Sequence, residues 1–216
     1  MTSPAGCPRC AGPVRPPDLW SSTWRCERHG AVHPFHVLPR AGHDIVTAVA
    51  AKSAVPMWAP RPLPPGWMVS GLGHAGDERT GARATAVALS GPSPLGGPAD
   101  LLLVAEEPGV GLGSRYAGLD APDPGLSPET PADARLTVAG HPTPLWSAPC
   151  TPDRVAFLGE AKGLWLWAVL WPADAGLLLL EPFELRDLRE GGHDDLEYGA
   201  PSPHLSDPPA AWSGSQ

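Results

Sequence analysis

No apolar stretch in these 216 residues is long enough to span a bilayer: the most apolar one, Leu164–Trp171, covers eight residues, and a membrane helix needs about 20. The N-terminus, MTSPAGCPRC, has no basic start followed by an apolar run, so it does not read as a secretory signal. These two absences point to the cytoplasm. Lysine is nearly missing, present only at 52 and 162, while the other thirteen of the fifteen basic residues are arginine. With abundant Ala, Gly and Pro, this composition fits a high-G+C bacterial genome and carries no information about chemistry. Phe and Tyr together number only five, but there are nine tryptophans. The four cysteines do not read as a disulfide framework, because the cytosol is reducing, and close spacing among them points to metal or redox chemistry instead.

Basic charge is also scarce. The formal net charge is −8, yet residues 1–40 carry five arginines (9, 15, 25, 28 and 40) against Asp18 and Glu27, which gives +3 there and leaves −11 for the rest. A binder of nucleic acid usually carries a broad basic face, so an acidic chain with a short basic head is expected to bind nucleic acid weakly at best. The head's arginines, with Trp20 and Trp24 as stacking groups, are the features that would carry such binding.

Three of the four cysteines lie within the first 26 residues. Cys7-Pro-Arg-Cys10 can chelate a metal from one tight turn, and Cys26-Glu-Arg-His29 supplies a second pair sixteen positions later. Gly12 and Gly30 follow the two pairs, where a chain closing on a metal often needs positive φ. A thioredoxin-like Cys-x-x-Cys would precede a helix in a βαβ unit, and that context is absent here. The expected ligands of a structural zinc ion are therefore Cys7, Cys10, Cys26 and His29. His33 and His36 compete for the fourth place, and His29 is favoured because its spacing repeats that of the first pair. Three Cys and one His with no spare carboxylate leave no open position for a substrate.

The fold class expected is α+β: a zinc-ribbon-like module over residues 1–40, a short helix and proline-rich linker over 41–65, a mainly antiparallel β-sheet domain over 66–190, and a disordered acidic tail over 191–216. Asp44 caps the predicted helix, which runs to Ala54 ahead of Val55-Pro56. Pro56–Pro65 holds five prolines and reads as an extended linker that separates two cores. Beyond Gly66, short apolar runs alternate with turn residues, the pattern of strands. Ala84, Ala86 and Ala88 share one face of such a strand and Thr85, Val87 and Leu89 the other. Leu164–Trp171, apolar on both faces, is predicted as a central strand that turns through Pro172–Gly176 into Leu177–Leu180. Residues 73–81 are expected to form a hairpin loop.

Sites of catalysis are harder to find. Cys150, in Ala-Pro-Cys-Thr-Pro, reads as a packing residue, and Gly109-Val-Gly-Leu-Gly113 matches neither phosphate-binding motif because Tyr116 fills the last glycine place. Trp165, Trp167 and Trp171 recur at even spacing and are read as core. His74 and Asp77-Glu78 could do acid–base work only if the fold gathered them. The long connection after Glu106 is the first place to seek a site.

The motifs Cys-Pro-Arg-Cys, Trp24-x-Cys-x-x-His-Gly, Pro62-Leu-Pro-Pro-Gly-Trp67, Gly81–Pro92, Leu102-Leu-Val-Ala-Glu-Glu107, Gly111-Leu-Gly-x-Arg-Tyr-Ala-Gly118 and Gly163–Val169 together resemble an uncharacterised family of unknown function from high-G+C bacteria. The likeness covers residues 7–190 and implies a small cytoplasmic protein with a ribbon-like head and no catalytic residues assigned. The function expected is therefore non-enzymatic: a binding or regulatory module for a macromolecular partner, a protein in preference to nucleic acid, with no membrane partner. The alternative is an enzyme with a site in the 106–128 loop built on Glu106, Glu107, Arg115 or Asp120.

Overall fold

The computed structural model describes residues 5–38, 40–120, 122, 130–181 and 183–206. Three two-residue strands open the chain, β1 (Val14–Arg15), β2 (Arg25–Cys26) and β3 (Gly30–Ala31), paired antiparallel in that order. Then follow β4 (Phe35–Leu38), α1 (His43–Ala50), β5 (Trp58–Pro60), β6 (Met68–Asp77), β7 (Gly81–Pro92), β8 (Pro98–Glu106) and α2 (Leu112–Ala117). The second half holds β9 (Ala134–Val138), β10 (His141–Ala148), β11 (Val155–Ala161), β12 (Leu164–Trp171), β13 (Glu184–Asp187) and α3 (Pro203–Ser206). Strands β4 to β13 make one ten-stranded sheet in the order β4-β6-β7-β8-β12-β11-β10-β9-β13-β5, antiparallel throughout except for β9 with β13. The protein is thus mostly β-sheet with few helices, within the α+β class expected.

β12 lies inside this sheet, between β8 and β11. Its two-sided apolarity follows from a core on each face. Leu166, Ala168 and Leu170 pack with Leu101, Leu103 and Val87 on one face, under α1. Trp167, Val169 and Trp171 pack with Leu102, Val104 and the β7 alanines on the other, under α2. The alanine face of β7 is the side on which α2 and Phe35 come close. Alternation at period 2 assigns each side chain to its layer.

Five expectations need correction. The Pro56–Pro65 segment is no separator: Trp58–Pro60 pairs with β13 as the sheet's terminal strand, with Met57, Trp58 and Ala59 all buried. Proline at a sheet edge leaves no ladder bond unmade, and the apolar Met-Trp-Ala between the prolines supplies the burial. Leu177–Leu180 is no partner of β12, because β8 and β11 already occupy both its edges. Ala173–Leu180 instead forms a 3₁₀ turn that packs Ala175, Leu178 and Leu179 on the sheet. The 73–81 loop is mostly strand, with only residues 78–80 turning between β6 and β7. The expected disordered tail is anchored at single residues, with Leu196, Ser202 and Leu205 buried and the Tyr116 hydroxyl donating to the Leu205 carbonyl at 2.8 Å. Residues 207–216 of that tail lie outside the described residues. The predicted helix is also shorter than expected, ending at Ala50, with Gly42 rather than Asp44 at its N-cap.

Candidate metal centre

Turns at both ends of a small hairpin bring the four sequence-predicted ligands together. Cys7 and Cys10 sit on the turn before β1, Cys26 on β2, and His29 on the turn into β3, so pairing of β1 with β2 (Val14 opposite Cys26) and of β2 with β3 folds the second pair back onto the first. The ligand atoms of Cys7, Cys10, Cys26 and His29 all lie within 4.8 Å of one another. Cys10 Sγ is 3.8 Å from Cys26 Sγ, and His29 Nδ1 is 3.4 Å from Cys7 Sγ and 3.7 Å from Cys26 Sγ. The thiols are free, since a disulfide would hold its sulfurs about 2.05 Å apart. This Cys₃His group could hold a metal ion.

The electrostatics differ from one ligand to the next. Burial pushes the Cys7 thiol up to about 12, partly opposed by the backbone N–H groups of Arg9 and Cys10 aimed at its sulfur. Burial also raises Cys26, but the N–H groups of His29 and Arg28 outweigh it and leave that thiol below its usual value. The sulfurs of Cys7 and Cys26 are thus met by the amides of their own turns, which favour a thiolate. Burial and the charges of Arg9 and Arg28 shift His29 down, toward the neutral form that an imidazole ligand needs. The competing histidines stand elsewhere. His36 stacks on His74 across β4 and β6, with ring centroids 5.1 Å apart. His33, with Trp24, lines a cleft of about 300 Å³ between the head and the sheet.

The head is joined to the sheet directly. Gly6 and Phe35 exchange both backbone hydrogen bonds, so the residue before Cys7 continues the β4 edge. Arg9, inside the first Cys-x-x-Cys, donates to the carbonyls of Gly109 (Nη2) and Val110 (Nε, 3.2 Å). Sequence reading missed this latch, and no local signal could have found it, since it spans a hundred residues.

The residues of the alternative site do not converge. Glu106 is buried under α2, its two carboxylate oxygens accepting the N–H groups of Leu112 (2.7 Å) and Gly113 (3.2 Å), and burial raises it to about 7. Glu107 pairs with Arg83 at 2.7 Å, while buried Arg115 lies over the rings of Phe35 and Tyr116. Asp120 lies near enough to act on His29 through its charge, and residues 123–129 of that loop lie outside the described residues. The glycines of the Gly111–Gly118 motif serve packing: Gly111 and Gly118 take positive φ at the two ends of α2, and Gly113 touches the Trp167 ring. Cys150 donates to the Arg154 carbonyl, His74 is half-buried on β6 and lowered to about 4 chiefly by burial, and Asp77 accepts the N–H groups of Arg79 and Thr80 in the turn.

A profile of one sequence family matches residues 1–205, and so takes in both the Cys₃His group and the whole sheet. The chain belongs to a family of unknown function, DUF6758. No curated protein and no solved structure matches it. Among the described residues no helix is long and apolar enough to cross a membrane.

Proposed function

We propose that Cys7, Cys10, Cys26 and His29 bind one structural zinc ion, and that the zinc-ribbon-like head so formed is a non-enzymatic binding module for a protein partner in the cytoplasm. The observation that carries the zinc assignment is the size of the cluster. Tetrahedral zinc with Zn–S of about 2.3 Å and Zn–N of about 2.05 Å separates two sulfurs by about 3.8 Å and a sulfur from a nitrogen by about 3.6 Å. The sulfur pair Cys10–Cys26 is 3.8 Å apart, and His29 Nδ1 lies 3.4 and 3.7 Å from the sulfurs of Cys7 and Cys26. Soft thiolates with one imidazole suit zinc over the harder divalent ions. Four protein ligands leave no position for water, which favours a structural over a catalytic role.

The binding role is supported by what surrounds the ion. The zinc would hold together a module whose own strands are two residues long, and Glu106, Glu107 and Arg115 are each occupied in packing or pairing. A protein is favoured over nucleic acid because the head's charge of +3 neutralises few phosphates. Trp20 and Trp24 also form no joint stacking platform, since Trp24 faces the cleft while Trp20 stands in solvent. Cobalt substitution tests the reading. Tetrahedral Co²⁺ should give intense visible bands unchanged by added cyanide or azide, and an anion-induced shift would reveal an open position and sink the structural role.

A further inference from the structure

The loop between β1 and β2 ends in the most exposed apolar pair of the described residues, Leu19 at 98% and Trp20 at 94%. A flexible loop would fold such side chains back, but this one is fixed. Asp18 Oδ1 accepts the N–H groups of Trp20 and Ser21, both at 2.8 Å, and Asp18 N–H donates to the Ser21 carbonyl. At the base of the loop Arg15 and Arg25 stand opposite each other on β1 and β2, exposed, with Arg28 exposed on the next turn. Arg15 is paired with Glu27, and no ion pair engages Arg25 or Arg28 among the described residues. An aromatic anchor with arginine beside it is the composition of an interface hot spot.

The same chain carries a receptor of matching character. Between α1 and the strands β4 and β6 lies a groove of about 650 Å³ with apolar walls from Val37, Leu38, Ala48 and Val49. Asp77 and Glu78 line it too, alongside the single cation Lys52. Loop and groove are neighbours, because Arg79, in the turn that follows Glu78, donates from Nη2 to the Ser22 carbonyl at 3.0 Å. A two-fold axis beside that turn would set each tip against the other copy's groove, since a two-fold interface presents one patch to itself.

We infer that the protein pairs with a second copy of itself, the Leu19–Trp20 tip of each entering the α1/β4/β6 groove of the other with Arg25 and Arg28 toward Asp77 and Glu78. This deepens the proposed function, on which it rests, by naming the protein partner. A bilayer would also accept a Trp-Leu tip with basic neighbours. The acidic groove next to the tip and the charge of −11 beyond residue 40 favour the second copy.

Sedimentation of the full-length, zinc-loaded chain tests this. Wild type should dimerise in the micromolar range, and Trp20→Ser or Ala48→Arg should each weaken pairing at least about tenfold. Both positions are exposed, so neither variant should lose its fold or its metal. Mixing the two variants should restore a heterodimer, because the intact tip of one meets the intact groove of the other. A monomeric wild type, a dimer indifferent to both variants, or no recovery on mixing overturns the inference. So does monomeric chain that binds vesicles of phosphatidylserine and phosphatidylcholine through Trp20. Zinc content measured on the same samples separates this failure from failure of the metal assignment.

Discussion

Replacing Gly113 by Ala should lower thermal stability although alanine is the better helix former. A Cβ built on Gly113 meets Cδ1, Cγ and Nε1 of Trp167 at 2.1, 2.3 and 2.3 Å, more than an ångström inside ordinary contact. The ring has no free side to retreat to: Trp167 is 0% exposed, and its strand is paired on both edges, with Val104 opposite on β8 and Leu158 on β11. Overpacking of this kind costs about 1–3 kcal/mol. Relief of glycine's poor helix propensity would return at most about 1 kcal/mol, less in a helix of only six residues. A chain of this size shifts its Tm by about 2–4 °C per kcal/mol, so the variant should melt about 3–10 °C below wild type by calorimetry, with altered tryptophan near-ultraviolet dichroism. Gly42→Ala, where nothing lies within 4 Å of the new carbon, should lose only the N-cap preference for glycine and so cost less. If Gly113→Ala melts at or above wild type, helix propensity decides and the close approach of α2 to β12 is wrong.

Glu106 titrates near 7 in the fold against an ordinary 4.5, because burial disfavours its charge. Between those values the unfolded chain gives up the proton that the folded chain keeps, so this stabilisation is complete below about pH 4.5 and declines as pH rises through 7. The difference between wild type and Glu106→Gln in unfolding free energy, from urea titrations, should therefore change across that window by an amount of order 3 kcal/mol, and parallel profiles would refute the buried position. Chelation should perturb the sheet as well as the head, because β4 is bonded to Gly6 and Arg9 holds Gly109 and Val110. Hydrogen exchange should show β4 and residues 107–112 losing protection on metal removal, whereas loss confined to residues 5–33 would mean that the two parts are independent. His29→Ala should weaken metal affinity far more than His33→Ala, as measured by competition with a chromogenic chelator, and equal effects would reopen the choice of fourth ligand.

The gathering of Cys7, Cys10, Cys26 and His29 could be read from sequence because its determinants are local. Each Cys-x-x-Cys or Cys-x-x-His pair closes within one turn, so spacing alone brings Cys7 to Cys10 and Cys26 to His29. β12 was legible for a similar reason: eight residues apolar on both faces have few places to go except between two other strands. The alanine face of β7 likewise announced a close-packed side. What misled was composition read without partners. Five prolines made Pro56–Pro65 look like a linker, but Trp58 is buried by β13, over a hundred residues away. The acidic, glycine-rich stretch after Arg189 seemed to lack anchors, yet single residues suffice where a groove already exists: Leu205 packs where Gly71 leaves room, 2.5 Å from where a Cβ would stand. The Arg9 latch and the joining of head to sheet through Phe35 are long-range facts, written in no local pattern.

The central claim is that one zinc ion held by Cys7, Cys10, Cys26 and His29 organises the head. Elemental analysis of the purified full-length chain tests it most directly. Wild type and Cys150→Ser should each carry one zinc per chain, and Cys10→Ser and Cys26→Ser should lose stoichiometric zinc. Wild-type protein without zinc, or zinc lost equally in Cys150→Ser, would contradict it.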